Sequence, residues 1–193
     1  MARVPIDRVI DRLWPAGPDE LTYAIFDGAR NPDVVPLVMG SKLPARCLYV
    51  GDIDPALVRV APHLVRLSRN DPKSKALIER AWGESWGIFL RSTETLEGLH
   101  RHFRRFLRVR DEEGRRMLFR YYDPRVFRVY VPTCVQAELD YVFGPVEVFV
   151  VEGDEPERIL EMRNRKGMLA MSEVRIEKRL NWLGDYLRKT REE

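Results

Sequence analysis

Two cysteines, three histidines and the absence of any long apolar run narrow the chemistry open to this 193-residue chain. Cys47 and Cys134 show no CxxC or metal-ligand spacing. They predict free, buried thiols in a reducing cytoplasm. No stretch approaches the roughly 20 apolar residues that a membrane span needs, so no membrane is implied. The first residues lack an apolar core and carry Asp7 and Asp11, unlike a secretion signal. No G-x-x-x-x-G-K-[ST] or G-x-G-x-x-G occurs, so a nucleotide cradle is unsupported and no cofactor is implied. The last histidine is His102, which leaves no catalytic histidine late in the chain.

What is present suits a soluble globular protein. Hydrophobic residues make up 45% and charged residues 33%, in the usual range for such chains. The net charge of +3 does not by itself argue for nucleic acid. Charge is uneven, however. Arginines stand at 101, 104, 105, 108, 110, 115, 116 and 120, opposed only by Asp111, Glu112 and Glu113. A local basic face follows.

Four Asx-Pro pairs punctuate the chain: Asn31 and Pro32, Asp54 and Pro55, Asp71 and Pro72, Asp123 and Pro124. Asn or Asp accepts an orphan N–H at a helix start, and proline at the next position gives up no needed donor. Each pair nominates a helix N-terminus. Apolar runs before three of them, at 23–26, 47–50 and 117–122, read as strands. Strands are also expected at 87–91 and 146–151, and a hairpin loop at 111–114. Leu96, Leu99, Phe103, Phe106 and Leu107 form the buried stripe of a helix capped by Ser92 or Thr93. Thr133 with Gln136 suggests a capping box for a helix ending before Gly144 and Pro145. The fold class is α/β: a mixed sheet with flanking helices over 1–152, then a small helical C-terminal lobe over 153–193. Ile176, Leu180, Leu183 and Leu187 lie at helical spacing, an amphipathic stripe. Met162, Met168 and Met171 cluster before it, and Gly167 reads as a break between two helices.

Candidate chemistry is sparse. Gly83-Glu84-Ser85-Trp86-Gly87 matches G-x-S-x-G, but a nucleophile elbow needs a strand entering and a helix leaving. Here a helix enters and a strand leaves. A helix cap and turn between two packing tryptophans explains the motif as well. His100 and His102 stand at i and i+2, which do not share a helix face, so no metal site is expected. They read as solvated helix residues, and His63 as structural. Arginines interleaved with Phe103, Phe106, Phe119, Tyr121 and Tyr122 resemble a stacking platform for nucleic acid. The phenylalanines fall on the apolar stripe, which favours a core role. A solvated face or an acidic protein partner explains the arginines.

The stretch Phe119-Arg120-Tyr121-Tyr122-Asp123-Pro124-Arg125-Val126 sets Arg120, Asp123 and Arg125 around one turn. Asp123 suits a helix cap, with Arg120 as its ion-pair partner. Arg120, Arg125 and one tyrosine edge are then left for recognition. The same stretch closes an ordered set of motifs. Before it come Tyr23-Ala24-Ile25-Phe26-Asp27-Gly28-Ala29-Arg30, Leu48-Tyr49-Val50-Gly51 and Leu64-Val65-Arg66-Leu67. Trp82, Trp86-Gly87-Ile88-Phe89-Leu90-Arg91-Ser92 and Leu96, Leu99, His102, Phe103, Arg104 follow, and Phe143-Gly144-Pro145 ends the set. Together, over residues 21–151, they resemble the effector-adaptor chaperones of bacterial type VI secretion. The resemblance implies a non-enzymatic cytoplasmic adaptor. It would bind a cognate toxic effector and help load it onto the spike protein, one rich in valine-glycine repeats. Asp27, Arg30, Arg120, Asp123 and Arg125 carry over as motif positions, with partner binding as the role they imply. The stripe of Leu180, Leu183 and Leu187 must bury itself either on the main domain or on a second partner, which it would meet by helix-in-groove contact. A serine hydrolase using Ser85 and a basic nucleic-acid-binding module are the alternatives.

Overall fold

The computed structural model describes residues 5–14, 21–51, 53–110 and 113–176. Among the described residues, nine strands form two sheets. The large sheet has the order β2-β3-β1-β4-β7-β8-β9. Its strands are β1 (Leu21–Asp27), β2 (Ala45–Cys47), β3 (Pro62–Leu67), β4 (Gly87–Ser92), β7 (Val148–Glu152), β8 (Arg158–Arg165) and β9 (Met168–Arg175). The small sheet is the hairpin of β5 (Arg108–Arg110) and β6 (Arg116–Leu118). Every pairing is antiparallel, so the sheet is not mixed.

Alternation along the strands supplies two cores. Tyr23, Ile25, Ile88, Leu90, Phe149 and Val151 face one side. There they meet α5 (Leu96–Phe103), α6 (Pro124–Tyr130) and α7 (Gln136–Phe143). Ala24, Phe26, Phe89, Val148 and Val150 face the other side. They meet α1 (Ile6–Leu13), α2 (Val34–Ser41) and α4 (Pro72–Ala81). Strands covered on both faces become continuous apolar runs, which is why 23–26, 87–91 and 146–151 are readable from sequence.

Three of the four Asx-Pro pairs start helices. Asp54 accepts from Ala56 N at 2.7 Å and opens α3 (Pro55–Val58). Asp71 accepts from Lys73 N at 2.8 Å, and Asp123 from Arg125 N at 3.0 Å. Asn31 does not cap a helix. Its Oδ1 accepts from Asp33 N at 2.9 Å within a turn, and α2 begins at Val34. Two further caps shift. Thr95, not Ser92 or Thr93, caps α5 by accepting from Gly98 N at 3.1 Å. At α7 the Glu138 side chain accepts from Val135 N at 2.9 Å, while the Thr133 hydroxyl donates to Tyr130 O.

The largest departure from the sequence reading lies at 158–175. This stretch forms β8 and β9, which extend the sheet, in place of the helices expected around Gly167. Lys166 and Gly167 have φ of 55° and 80°, the two positive values that a two-residue hairpin turn requires. Asn164 Oδ1 accepts from Gly167 N at 2.8 Å and locks the turn. Met162 is in the core, whereas Met168 and Met171 are exposed on β9, an edge strand. Leu180, Leu183 and Leu187 lie outside the described residues. Among the described residues no helix is long and apolar enough to cross a membrane.

Candidate functional site

Antiparallel order brings several chain segments to one end of the large sheet. The end of β1, the start of β4 and the end of β7 all meet there. Asp27 closes β1 and is fully buried. Its Oδ1 accepts from Ala29 N at 3.0 Å, and its Oδ2 from Arg120 Nε at 3.1 Å. Arg120 Nη2 makes a second, shorter bond to the same oxygen. The Arg120 partner is thus Asp27, not Asp123.

Asp123 holds Arg125 instead. Arg125 Nε donates to Oδ1 at 3.0 Å and Nη2 to Oδ2 at 2.6 Å, a two-pronged fork. Asp123 also keeps its place as the cap of α6, so one buried carboxylate serves the helix start and the arginine. The arrangement leaves both guanidinium groups partly in water: the Arg120 side chain is 39% exposed and that of Arg125 49%.

The electrostatics follow from this geometry. Burial works against the charge of Arg120, but Asp27 outweighs it and raises the arginine pKa. Burial alone would raise the Asp123 carboxyl. The Arg125 guanidinium and backbone N–H outweigh it and hold the carboxyl below its ordinary value. Burial pushes the Tyr49 and Tyr122 hydroxyls up. Tyr121 and Tyr122 are both buried, so neither offers the exposed edge expected for recognition.

Arg30 completes the group from the turn after β1. Its backbone N–H donates to Asp27 O at 3.0 Å, and its Nε to Glu84 O at 3.0 Å. Gly28 lets this turn sit against the loop before β3. A Cβ there would stand 2.6 Å from Ala61 O and 2.7 Å from Val35 Cγ2. The structure therefore gathers Asp27, Arg30, Arg120, Asp123 and Arg125 at one end of the sheet, though separated by up to 98 positions in sequence.

Sequence reasoning missed the neighbours that complete this end. Glu152, at the tip of β7, is buried and accepts from Gly83 N. Burial raises its carboxyl pKa, opposed by hydrogen bonds from Gly83 and Ser85. Arg128 donates to Glu152 O at 3.2 Å and Gly153 O at 3.0 Å, tying α6 to the same tip. Ser85 has a φ of 55°, but α4 enters its loop and β4 leaves it, the reverse of a nucleophile elbow. Trp82 and Trp86 are buried on either side.

The histidines are engaged by the fold. His63, His100 and His102 each place a ring nitrogen within 3.0 Å of a backbone carbonyl, of Ala61, Cys47 and Val142 respectively. His102 is buried, not solvated as expected, and burial lowers its pKa. Cys47 and Cys134 are free but only half-buried.

A family model described as Domain of unknown function (DUF4123) matches residues 22–141. The chain belongs to this family. All five motif positions, Asp27, Arg30, Arg120, Asp123 and Arg125, fall inside the DUF4123 match. No curated protein and no solved structure matches the chain.

Proposed function

We propose that this DUF4123 protein is a non-enzymatic type VI secretion adaptor that binds a cognate toxic effector and helps load it onto the spike protein. The observation that carries this reading is the pair of arginines, Arg120 and Arg125, each clamped by a buried carboxylate yet open to water. Such a fork is fixed in direction and suits a carboxylate or backbone carbonyl of a protein partner. Family membership and the ordered motif set supply the biological setting.

The experiment is co-purification of the tagged chain with the effector encoded beside it and with the C-terminal region of the neighbouring spike protein. Recovery of either protein supports the reading, and recovery of neither overturns it. Arg30→Glu is the surface variant of choice, because Arg30 is exposed and holds only a backbone carbonyl. It should lower recovery without lowering the melting temperature. Ser85→Ala should leave recovery unchanged; loss of an effector-independent hydrolytic activity in this variant would return the serine hydrolase to consideration.

A further inference from the structure

A cavity of about 270 Å³ opens beside α5, α6 and α7, and neither Arg120 nor Arg125 lines it. Phe127 and Phe149 line its depth, and Phe106, Phe119 and Tyr121 stand in its walls. Its walls are held open. The Tyr121 hydroxyl donates to Phe103 O at 3.0 Å. Phe106 meets Tyr141 edge to face at 4.9 Å between centroids, and Phe119 meets Tyr130 at 4.8 Å. These contacts limit collapse of the rings into the space. Its volume lies just under the roughly 300 Å³ at which small-molecule pockets begin, a size that suits one large side chain.

The mouth is basic. Arg105 and Arg108 line it, with Glu138 the sole acidic lining residue among the described residues. Arg101, Arg104, Arg105 and Arg108 are all exposed, and none forms an ion pair with another described residue. Beside the mouth, Met117 and Leu118 of β6 and the ring of Tyr141 are exposed. An apolar socket with Arg105 and Arg108 at its mouth, further exposed arginines on the same segment and a small apolar shelf is complementary to an apolar anchor within an acidic chain. Ile176, the last described residue, packs in the core on the opposite face of the sheet.

We infer that this cavity seats an aromatic side chain from an acidic segment of a partner protein. The inference rests on the reading of this chain as a binder of proteins, but not on the role of Arg120 or Arg125. An aromatic side chain would supply the affinity by burial, and the arginines would steer and select the acidic segment.

The test uses the full chain and a short fluorescent peptide with one tryptophan set among aspartates and glutamates, read by anisotropy. Saturable binding is expected, weaker as salt rises. Replacing the peptide tryptophan by alanine should weaken it about ten-fold or more. Arg105→Glu with Arg108→Glu should weaken it about as much. Val109→Trp, which fills the cavity from the hairpin, should abolish it. If that variant does not fold, the tryptophan-to-alanine comparison on the native chain still reads the cavity. Equal binding of the two peptides would reduce the effect to charge and overturn the inference. So would no saturable binding, or an oligothymidylate that binds through the same arginines while the peptide fails to compete. Loss of peptide binding alongside intact effector and spike recovery would remove the socket and leave the adaptor reading standing.

Discussion

Asp27 and Asp123 sit out of water while their arginine partners remain half in it. Removing the Asp27 charge should therefore matter more to folding than an exposed ion pair would. Asp27→Asn is expected to cost about 1–3 kcal/mol, because a buried acceptor is weakened, and urea denaturation measures it. The two perturbed carboxyls at this end of the sheet act with opposite sign. The Asp123 carboxyl is held below its ordinary value. Its stabilisation is fully present above the ordinary aspartate range and is lost as pH falls through the lowered value. The Glu152 carboxyl is raised. Its contribution is present below the ordinary glutamate range and is lost as pH rises through the raised value. Stability curves against pH should thus lose part of their acid limb in Asp123→Asn. In Glu152→Gln they should fall less steeply as pH rises from mildly acidic toward neutral. An unchanged curve in either variant would contradict the assignment. The cap at Asp123 was readable because it is local: Asp, Pro and a helix start are consecutive. The Asp27–Arg120 bond spans 93 residues, and nothing local announces it. Hence the sequence alone paired Arg120 with the nearer aspartate.

Elements were legible where burial leaves a simple pattern. β1, β4 and β7 are covered on both faces and read as apolar runs. α5 shows its stripe because one face meets the core. β8 and β9 are harder. β9 is an edge strand with most side chains exposed, so no alternation marks it, and its charges resemble a solvated helix. The missed signal is Lys166 with Gly167, a pair suited to a tight hairpin. Two element-level outcomes test the local physics. Asp71→Ala should cost about 1 kcal/mol by stripping the cap from α4. Gly28→Ala should cost about 1–3 kcal/mol, because the new methyl overlaps the Ala61 carbonyl and Val35. Both are read from denaturation midpoints. A Gly28→Ala protein as stable as the native chain would mean the turn after β1 relaxes freely.

At the scale of the molecule, two cores share a single sheet. Ile78 is buried on the α4 side and Leu139 on the α7 side. Truncating either to alanine should cost about 2–5 kcal/mol. Because β1, β4 and β7 contribute side chains to both cores, the two losses should appear in one cooperative transition. Trp14, Trp82 and Trp86 all lie with the α4-side core. Tryptophan fluorescence should nevertheless report the Leu139→Ala loss at the same midpoint as far-ultraviolet circular dichroism. Separate midpoints would show that the layers unfold independently. The layered arrangement was legible in outline from alternating strand and helix signals. The partition of residues between its two sides was not, because it depends on strand register, and register is set by long-range pairing.

The carboxylate clamps have a further consequence, which concerns entropy. A free arginine side chain on a surface samples many rotamers, and ordering it on contact costs about 0.5–1.5 kcal/mol. Arg120 and Arg125 have already lost much of that freedom when the chain folds. A partner arriving at this end of the sheet meets guanidinium groups already aimed, so less of the contact energy is consumed in ordering them.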